Sequence, residues 1–346
     1  MVNLLSRLVP ILLFLLSMTV VAELATEAGV FSLFASRLAR LAKGRILNLY
    51  VMVALAASLI TIFLGLDATA VLFTPVVIIL ARRTKAPLYP FILLPLLFSN
   101  LASLLLPVSN LTNLLSEYRF HLRNSTYIQM SYRSSLITIL ATLIILLLLF
   151  RKDLRGKYEF ESQPQLVDPI FTFMAAFACV LFAGLILFNV SATTASLVAA
   201  GIVTSGALIR ERTKVQWRLI PVRLLLLVTV LFIGVDLLNY FGVGHVIAHG
   251  THNALETLLW SGLTANLVNN LPAYLLFESV VSPHNLFYLL IGVNFGSIIL
   301  PWGSLATLLW AQRCNAAGIR VEWGKTILIS AIIAAIVVPM AAISIF

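Results

Sequence analysis

The chain has 346 residues, of which 61% are hydrophobic and 10% charged, with a mean hydropathy of +1.04. Soluble domains carry roughly 25% charged residues, so a water-facing surface cannot be covered and a soluble enzyme is excluded. A net charge of +10 would suggest nucleic acid on a soluble chain. Here no basic face is interleaved with aromatics, and the basic residues sit in short clusters between apolar runs, as cytoplasmic loops do. A multi-pass protein of the cell membrane is therefore expected, with no room for a sizeable soluble domain at about 20 residues per spanning helix. Cys179 and Cys314 lie in different segments, so neither a disulfide framework nor a thiolate metal site is expected.

In chain order, the first apolar run, from Leu8 to Ala22, ends in small residues as a signal peptide does. The apolar pattern resumes beyond Glu23 and Glu27 to Phe34, so one retained transmembrane helix is expected over 8–34. Further runs cover 46–65, 68–81, 88–116, 134–150, 170–188, 192–209, 219–241, 254–267, 271–281, 285–311 and 324–345. Continuous apolar character without strand-like alternation predicts helices throughout. The runs 68–81 and 271–281 are too short to span, and each follows a polar break, at Gly65-Leu66-Asp67 and at Asn269-Asn270-Leu271-Pro272. Short or interrupted segments in matching positions of two halves point to a transporter site.

Charge predicts how these segments run. Arg37, Arg40, Lys43 and Arg45 precede the 46–81 stretch, and Arg82, Arg83 and Lys85 follow it. If both clusters are cytoplasmic, the stretch is a re-entrant hairpin with Asp67 at its tip. Alternation then places 151–157, 210–218 and 313–325 inside too, so that 18 of the 23 Lys and Arg residues share one face. The second broken stretch, 254–281, is flanked by 242–253 and 282–284, which contain no Lys or Arg, and is expected to enter from outside.

The expected fold is an all-α polytopic membrane protein built as an inverted repeat, with about 8 spanning helices and 2 hairpins. The first repeat, 1–150, holds a helix, the cytoplasmic-side hairpin 46–81, a broken helix 88–116 and a helix 134–150. A cytoplasmic linker follows over 151–169. The second repeat, 170–346, holds three helices, the outer hairpin 254–281, a broken helix 285–311 and a helix 324–345. In support, the stretch from Ser103 through Pro107 and Asn110 to Leu115 matches, in spacing, that from Ser297 through Pro301 and Ser304 to Leu309. Proline removes a backbone donor, and unwound backbone survives in a membrane only where protein or a watery cavity satisfies it. Two hairpin tips and two broken helices thus have reason to meet at one midplane site.

Four motifs carry a family resemblance. Gly65-Leu66-Asp67-Ala68-Thr69-Ala70-Val71-Leu72-Phe73-Thr74-Pro75 resembles the hairpin signature of the arsenite efflux permease (ArsB) and NhaD branch of the ion-transporter superfamily. Ala102-Ser103 through Pro107-Val108-Ser109-Asn110-Leu111-Thr112-Asn113, Asn266-Leu267-Val268-Asn269-Asn270-Leu271-Pro272, and Pro301-Trp302-Gly303-Ser304-Leu305-Ala306-Thr307-Leu308-Leu309-Trp310 resemble its other elements, in the same order. The resemblance runs from about residue 11 to the C-terminus. It implies a static scaffold and a transport region of two hairpins and two broken helices that carries a small inorganic solute. Three departures stand out: Leu66 replaces an Asn of the hairpin signature, Asn100 and Asn294 stand where arsenite permeases carry acids, and one span rather than three precedes the first hairpin. A late start, a natural short form or a partner supplying the missing surface would each account for the last.

Asp67 is the leading candidate, because an ionisable group in the bilayer interior costs at least a few kcal/mol and is functional by default. A helix-capping role is the alternative, and both can hold. Ser109, Asn110, Thr112, Asn113, Asn269, Asn270, Ser304 and Thr307 offer hydroxyls, amides and freed carbonyls without fixed charge. Such a set suits a neutral polyhydroxy solute or a cation offset by Asp67, interhelical hydrogen bonding being the alternative. Thr69, Asn294 and Gly303 of the same motifs complete the set. Asp236, in the 219–241 run, is a second candidate for proton coupling. Arg223 is expected to snorkel, Glu278 to be interfacial, and Tyr240 and Trp260 to join the aromatic belt. His245, His249 and His252 share a short segment and are read as solvated loop residues rather than a metal site.

The leading functional expectation is a secondary transporter exporting arsenite or antimonite in exchange for protons. Alternatives are sodium–proton exchange or transport of another inorganic ion or anion, and a non-transporting membrane subunit; a carboxylate importer ranks lower because the acidic hairpin tip would repel an anion. Nothing resembles a nucleophile–base pair or a nucleotide loop. No enzymatic activity and no cofactor are expected, ATP coupling would need a separate ATPase, and a homo-oligomer stays open.

Overall fold

The computed structural model describes residues 2–159, 168–210, 212–241 and 253–345, and every regular element among them is helical. Among the described residues, six helices are long and apolar enough to cross a membrane: Leu8–Glu27, Ile46–Leu64, Asn124–Leu149, Pro169–Leu187, Ala192–Arg210 and Trp323–Ile343. The protein is an all-α polytopic membrane protein.

The front of the chain differs from expectation. Instead of one helix over 8–34, α1 (Val2–Glu27) stops at a left-handed Gly29 (φ 79°), and α2 (Val30–Leu41) starts in a new direction. The apolar pattern runs through this break, but α2 is amphipathic. It buries Phe31, Ala35 and Ala39 and turns Arg37 and Arg40 away from them. One buried stripe and one basic face suit a helix lying along a membrane surface.

The first hairpin is α3 (Ile46–Leu64), a tip at Gly65–Asp67, a π-helical turn (Ala68–Phe73) and α4 (Thr74–Arg83). Beside it lies the first broken helix, α5 (Leu88–Leu101) and α6 (Leu111–Phe120), interrupted where Pro107 cannot continue the ladder. The helix expected over 134–150 begins earlier, as α7 (Asn124–Leu149), because its first turns are polar and carry no apolar signal. Three helices follow: α8 (Pro169–Leu187), α9 (Ala192–Arg210) and α10 (Val222–Tyr240). The second hairpin is α11 (Ala254–Val268) and α12 (Asn270–Glu278), and the second broken helix is α13 (Leu286–Phe295) and α14 (Leu305–Ala316). The chain continues into α15 (Trp323–Ile343).

Loop contacts orient these elements. Ile46 N–H donates to Gly156 O, Tyr158 N–H to Gly44 O and Arg82 Nη2 to Ala317 O. The Tyr89 ring meets Phe150, its hydroxyl Thr326, and Lys325 lies over its face. Both ends of the first hairpin therefore sit on one face, with the basic loops around 45, 82, 157 and 320. The opposite face gathers Asn124 Nδ2 on Ile186 O, Ser125 N–H on Asn189 Oδ1 and the Tyr127–Phe287 ring pair. That places the start of α13 on the opposite face. α11 runs parallel to α13, with Gly262 against Gly292 and Gly296, so the start of α11 lies on that side too. At this crossing a side chain on Gly292 would run into Ser261 Oγ, and the absence of side chains lets the two backbones touch.

Candidate functional site

At the first tip, Gly65 closes α3 at φ 92°, ψ 163°, a conformation open chiefly to glycine. Thr61 and Thr69 hydroxyls are 2.7 Å apart, joining the two limbs just below. Asp67 starts the π-helical turn, is half-buried, and its carboxylate has no hydrogen-bond or ion-pair partner among the described residues.

The neighbouring break is held by asparagines. Asn110 caps α6, its Oδ1 accepting from Thr112 N–H at 3.3 Å. Asn294 Oδ1, from the second broken helix, accepts from Asn110 Nδ2 at 3.0 Å and from Thr112 Oγ1 at 2.8 Å. Its Nδ2 donates to Asn113 Oδ1 at 2.8 Å, and Asn113 Nδ2 donates to the Ser103 and Leu106 carbonyls. Ser109 Oγ donates to Leu106 O at 2.5 Å. Buried amides left unpaired cost about 1–3 kcal/mol each, so this lattice locks the two broken helices together.

The second tip is wired differently. Asn269 has the same backbone as Gly65, at φ 96°, ψ 153°, but carries a side chain. Its Oδ1 accepts from Leu271 N–H and its Nδ2 donates to Trp302 O at 2.9 Å. Asn270 N–H donates to Gly303 O at 2.8 Å. Asn266 donates to Gly262 O and Gly296 O and accepts from Leu300 N–H. Gly303 admits no side chain, since a Cβ would run into Ser297 O. The two breaks share local geometry: Ser103 and Ser297 donate to Asn100 O and Asn294 O, and Asn110 and Ser304 occupy N-caps at φ −150° and −137°. Ser304 Oγ and Thr307 Oγ1 are buried without a hydrogen-bond partner among the described residues, as is Asn100 Oδ1.

A cavity of about 360 Å³ lies between α1, the first tip and the starts of α6, α10 and α14. Of the expected residues, Asp67, Ser109 and Asn110 line it. Thr112, Asn113 and Asn294 stand behind Asn110 in the hydrogen-bonded lattice, and Thr69 is tied to Thr61. Asn269, Asn270, Gly303, Ser304 and Thr307 belong to the second tip and break and do not line the cavity. The side chain of Asp236, that of Tyr240, and His245, His249 and His252 lie outside the described residues. Glu278 accepts from Tyr274 Oη.

Two charged residues reach the cavity that the motifs do not contain, Glu23 from α1 and Arg223 from the first turn of α10. Glu23 interrupts the first apolar run, and that interruption inside a spanning helix is the signal that could have marked it. Arg223, exposed in the first turn of α10, also lies on the cavity wall. The start of α6 adds the partial positive charge of a helix N-terminus. The cavity thus combines two carboxylates, a guanidinium, a helix N-terminus and a few hydroxyl and amide groups within a largely apolar wall.

A family model described as citrate transporter, CitMHS, matches residues 6–285. The chain belongs to the CitMHS family. This CitMHS protein is 24% identical over 341 residues to an arsenical pump membrane protein of Escherichia coli, with 89% of this chain and 79% of the relative aligned. It is 26% identical over 367 residues to a putative arsenical pump membrane protein of Bacillus subtilis strain 168, covering 89% of this chain and 81% of the relative. Its fold is similar to the crystal structure of the Alcanivorax borkumensis YdaH transporter, described as having an unusual topology, with a TM-score of 0.59 at 14% identity over 99% of this chain and 86% of that one. The CitMHS protein is a membrane transporter, multi-pass in the cell membrane, in agreement with the resemblance read from its four motifs.

Proposed function

We propose that this protein exports arsenite or antimonite in exchange for protons, with the Asp67 cavity as its solute site. The observation that carries this reading is the Asp67 carboxylate, partnerless among the described residues, on the same cavity as Ser109 and Asn110. Arsenite is an uncharged trihydroxy species at neutral pH, so it needs hydrogen-bonding groups rather than a fixed counter-charge, and coupling needs a titratable group beside it. The names of the bacterial relatives agree with this solute. In this reading the face carrying the 45, 82, 157 and 320 loops is cytoplasmic, and residues 1–150 and 170–346 are two inverted repeats whose hairpins enter from opposite sides. The matching caps at Asn110 and Ser304 support that division.

A second reading is cation–proton exchange. It is favoured by Glu23 standing on the same cavity as Asp67, since two carboxylates can hold a cation directly.

Expression in an arsenite-sensitive, efflux-deficient bacterium tests the first reading: resistance should rise and accumulated metalloid should fall. A stably expressed protein that gives no resistance but drives sodium-dependent proton movement in everted vesicles selects the second. Single cysteines placed in 35–45 and in 82–85 should react with an impermeant thiol reagent from the same side, and labelling from opposite sides would remove the cytoplasmic hairpin.

A further inference from the structure

Glu23 is a carboxylate within a spanning helix, outside every motif that carries the family resemblance, yet it shares a cavity with Asp67. It stands at the basic-face end of that cavity. One turn further along α1, Glu27 O accepts from Lys214 Nζ at 3.1 Å, and Ala28 O accepts from Thr172 Oγ1 at 2.5 Å. Both donors belong to segments adjoining the basic loops. Asp67, at the hairpin tip, lines the same cavity.

The charged groups around Glu23 come from several elements. Arg313 of α14 and Glu27 of its own helix act on it electrostatically, and Arg223 of α10 shares its cavity wall. The only charged side chain of α9, Arg210, is engaged by Asp168. Glu117 of α6 does not line the cavity. A space of about 360 Å³ is large enough to admit water beside its few polar groups, Asp67, Glu23, Ser109, Asn110 and Arg223 among them.

We propose that Glu23 is the second carboxylate of the proton path: the proton leaving the Asp67 carboxyl passes to the Glu23 carboxylate, and from there to water at the basic face. This rests on the proton-coupled reading above. It assigns the relay to α1, next to Asp67, and not to Asp236 on α10.

The test pairs a solute-free measurement with a transport measurement. In purified protein, infrared titration follows the carboxyl band that Asp67→Asn removes. Glu23→Gln should move its midpoint, because both carboxyls line one cavity and a proton exchanged through it would then be held by Asp67 alone. In reconstituted vesicles, Glu23→Gln should lower proton-coupled turnover by roughly tenfold while leaving the KM for arsenite unchanged. Formate, a small permeant weak acid, should restore the rate by carrying the missing proton, and Glu23→Asp should retain most of it. An unmoved midpoint with undiminished turnover overturns the relay. So does a slowed Glu23→Gln protein with an unmoved midpoint that formate does not rescue, since Glu23 then merely supports helix packing. A moved midpoint in a protein that transports neither arsenite nor antimonite upholds the carboxylate pair and overturns the solute reading instead.

Discussion

The two hairpin tips share a backbone and differ in everything attached to it. Gly65 and Asn269 close their helices at nearly the same φ and ψ, and each faces the break of its neighbouring helix. At the second tip, the Asn269 amide and the Asn270 N–H are bonded to the Trp302 and Gly303 carbonyls. At the first, a Cβ on Gly65 would lie 3.5 Å from Val108 O, the carbonyl that corresponds to Trp302 O, and no side chain among the described residues bonds to it. Leu66, corresponding to Asn270, is apolar and buried. One tip is therefore sewn to its broken helix, and the other is left loose beside a cavity that holds a carboxylate. Sewing spends polar groups on structure, and leaving a tip loose keeps them available for a solute.

The largest expected effect tests whether the loose tip carries the chemistry. Asp67→Asn keeps size and capping ability but cannot titrate, and should abolish proton-coupled flux while the protein still purifies as a folded species. Normal pH-dependent transport by this variant would reduce Asp67 to a cap. Next in size, Asn266→Ala at the sewn tip should lower thermal stability in detergent, by about 1–3 kcal/mol for each backbone group left unpaired. An unchanged melting temperature would show that the stitching at the second tip contributes nothing.

A subtler variant converts one tip towards the other. Gly65→Asn places an amide next to Val108 O in a backbone conformation that Asn269 already tolerates. It should raise the melting temperature, with one added hydrogen bond worth about 0.5–1.5 kcal/mol set against the strain of a left-handed Asn. Turnover should fall if the first tip must move. Higher stability at undiminished turnover would mean that looseness at this tip is irrelevant to transport. Leu66→Asn, which adds an amide without the tether, should keep or improve transport.

The smallest effect lies far from both tips. The Arg210 guanidinium, 2.8 Å from Asp168, and the N–H groups of Phe171 and Ile170 hold the Asp168 carboxyl below its ordinary range. A depressed folded-state value contributes stability above the unfolded range that is lost as pH falls through the lowered value. Arg210→Gln should flatten that acid limb of the melting profile slightly, without affecting transport at neutral pH.

Much of this architecture could be read from the chain because membrane helices are continuous apolar runs and their interruptions are polar. Pro107, Pro301 and the two tip motifs announced both hairpins and both breaks. What was hidden depends on which faces meet. Around Gly29 the apolar pattern resumes past Glu23 and Glu27 to Phe34, so 8–34 reads as one helix. Asn294 sits in an apolar run, and nothing local says that its amide closes the lattice of the other broken helix. The motifs group Asn269, Asn270, Ser304 and Thr307 with Asp67, whereas of the motif candidates only Asp67, Ser109 and Asn110 line the cavity. Glu23 and Arg223 reached it through the packing of α1 and α10, which periodicity cannot foresee.

The lattice around Asn294 also has a consequence for biosynthesis. Asn110, Thr112 and Asn113 obtain their partner from a residue made 184, 182 and 181 positions later. At translation speeds of about 5–20 residues per second, the first broken helix waits roughly 10–40 s for it. During that interval its amides must be held by water in the translocation channel or by an insertion chaperone, so nascent chains paused before residue 294 should be the species most exposed to quality-control proteolysis.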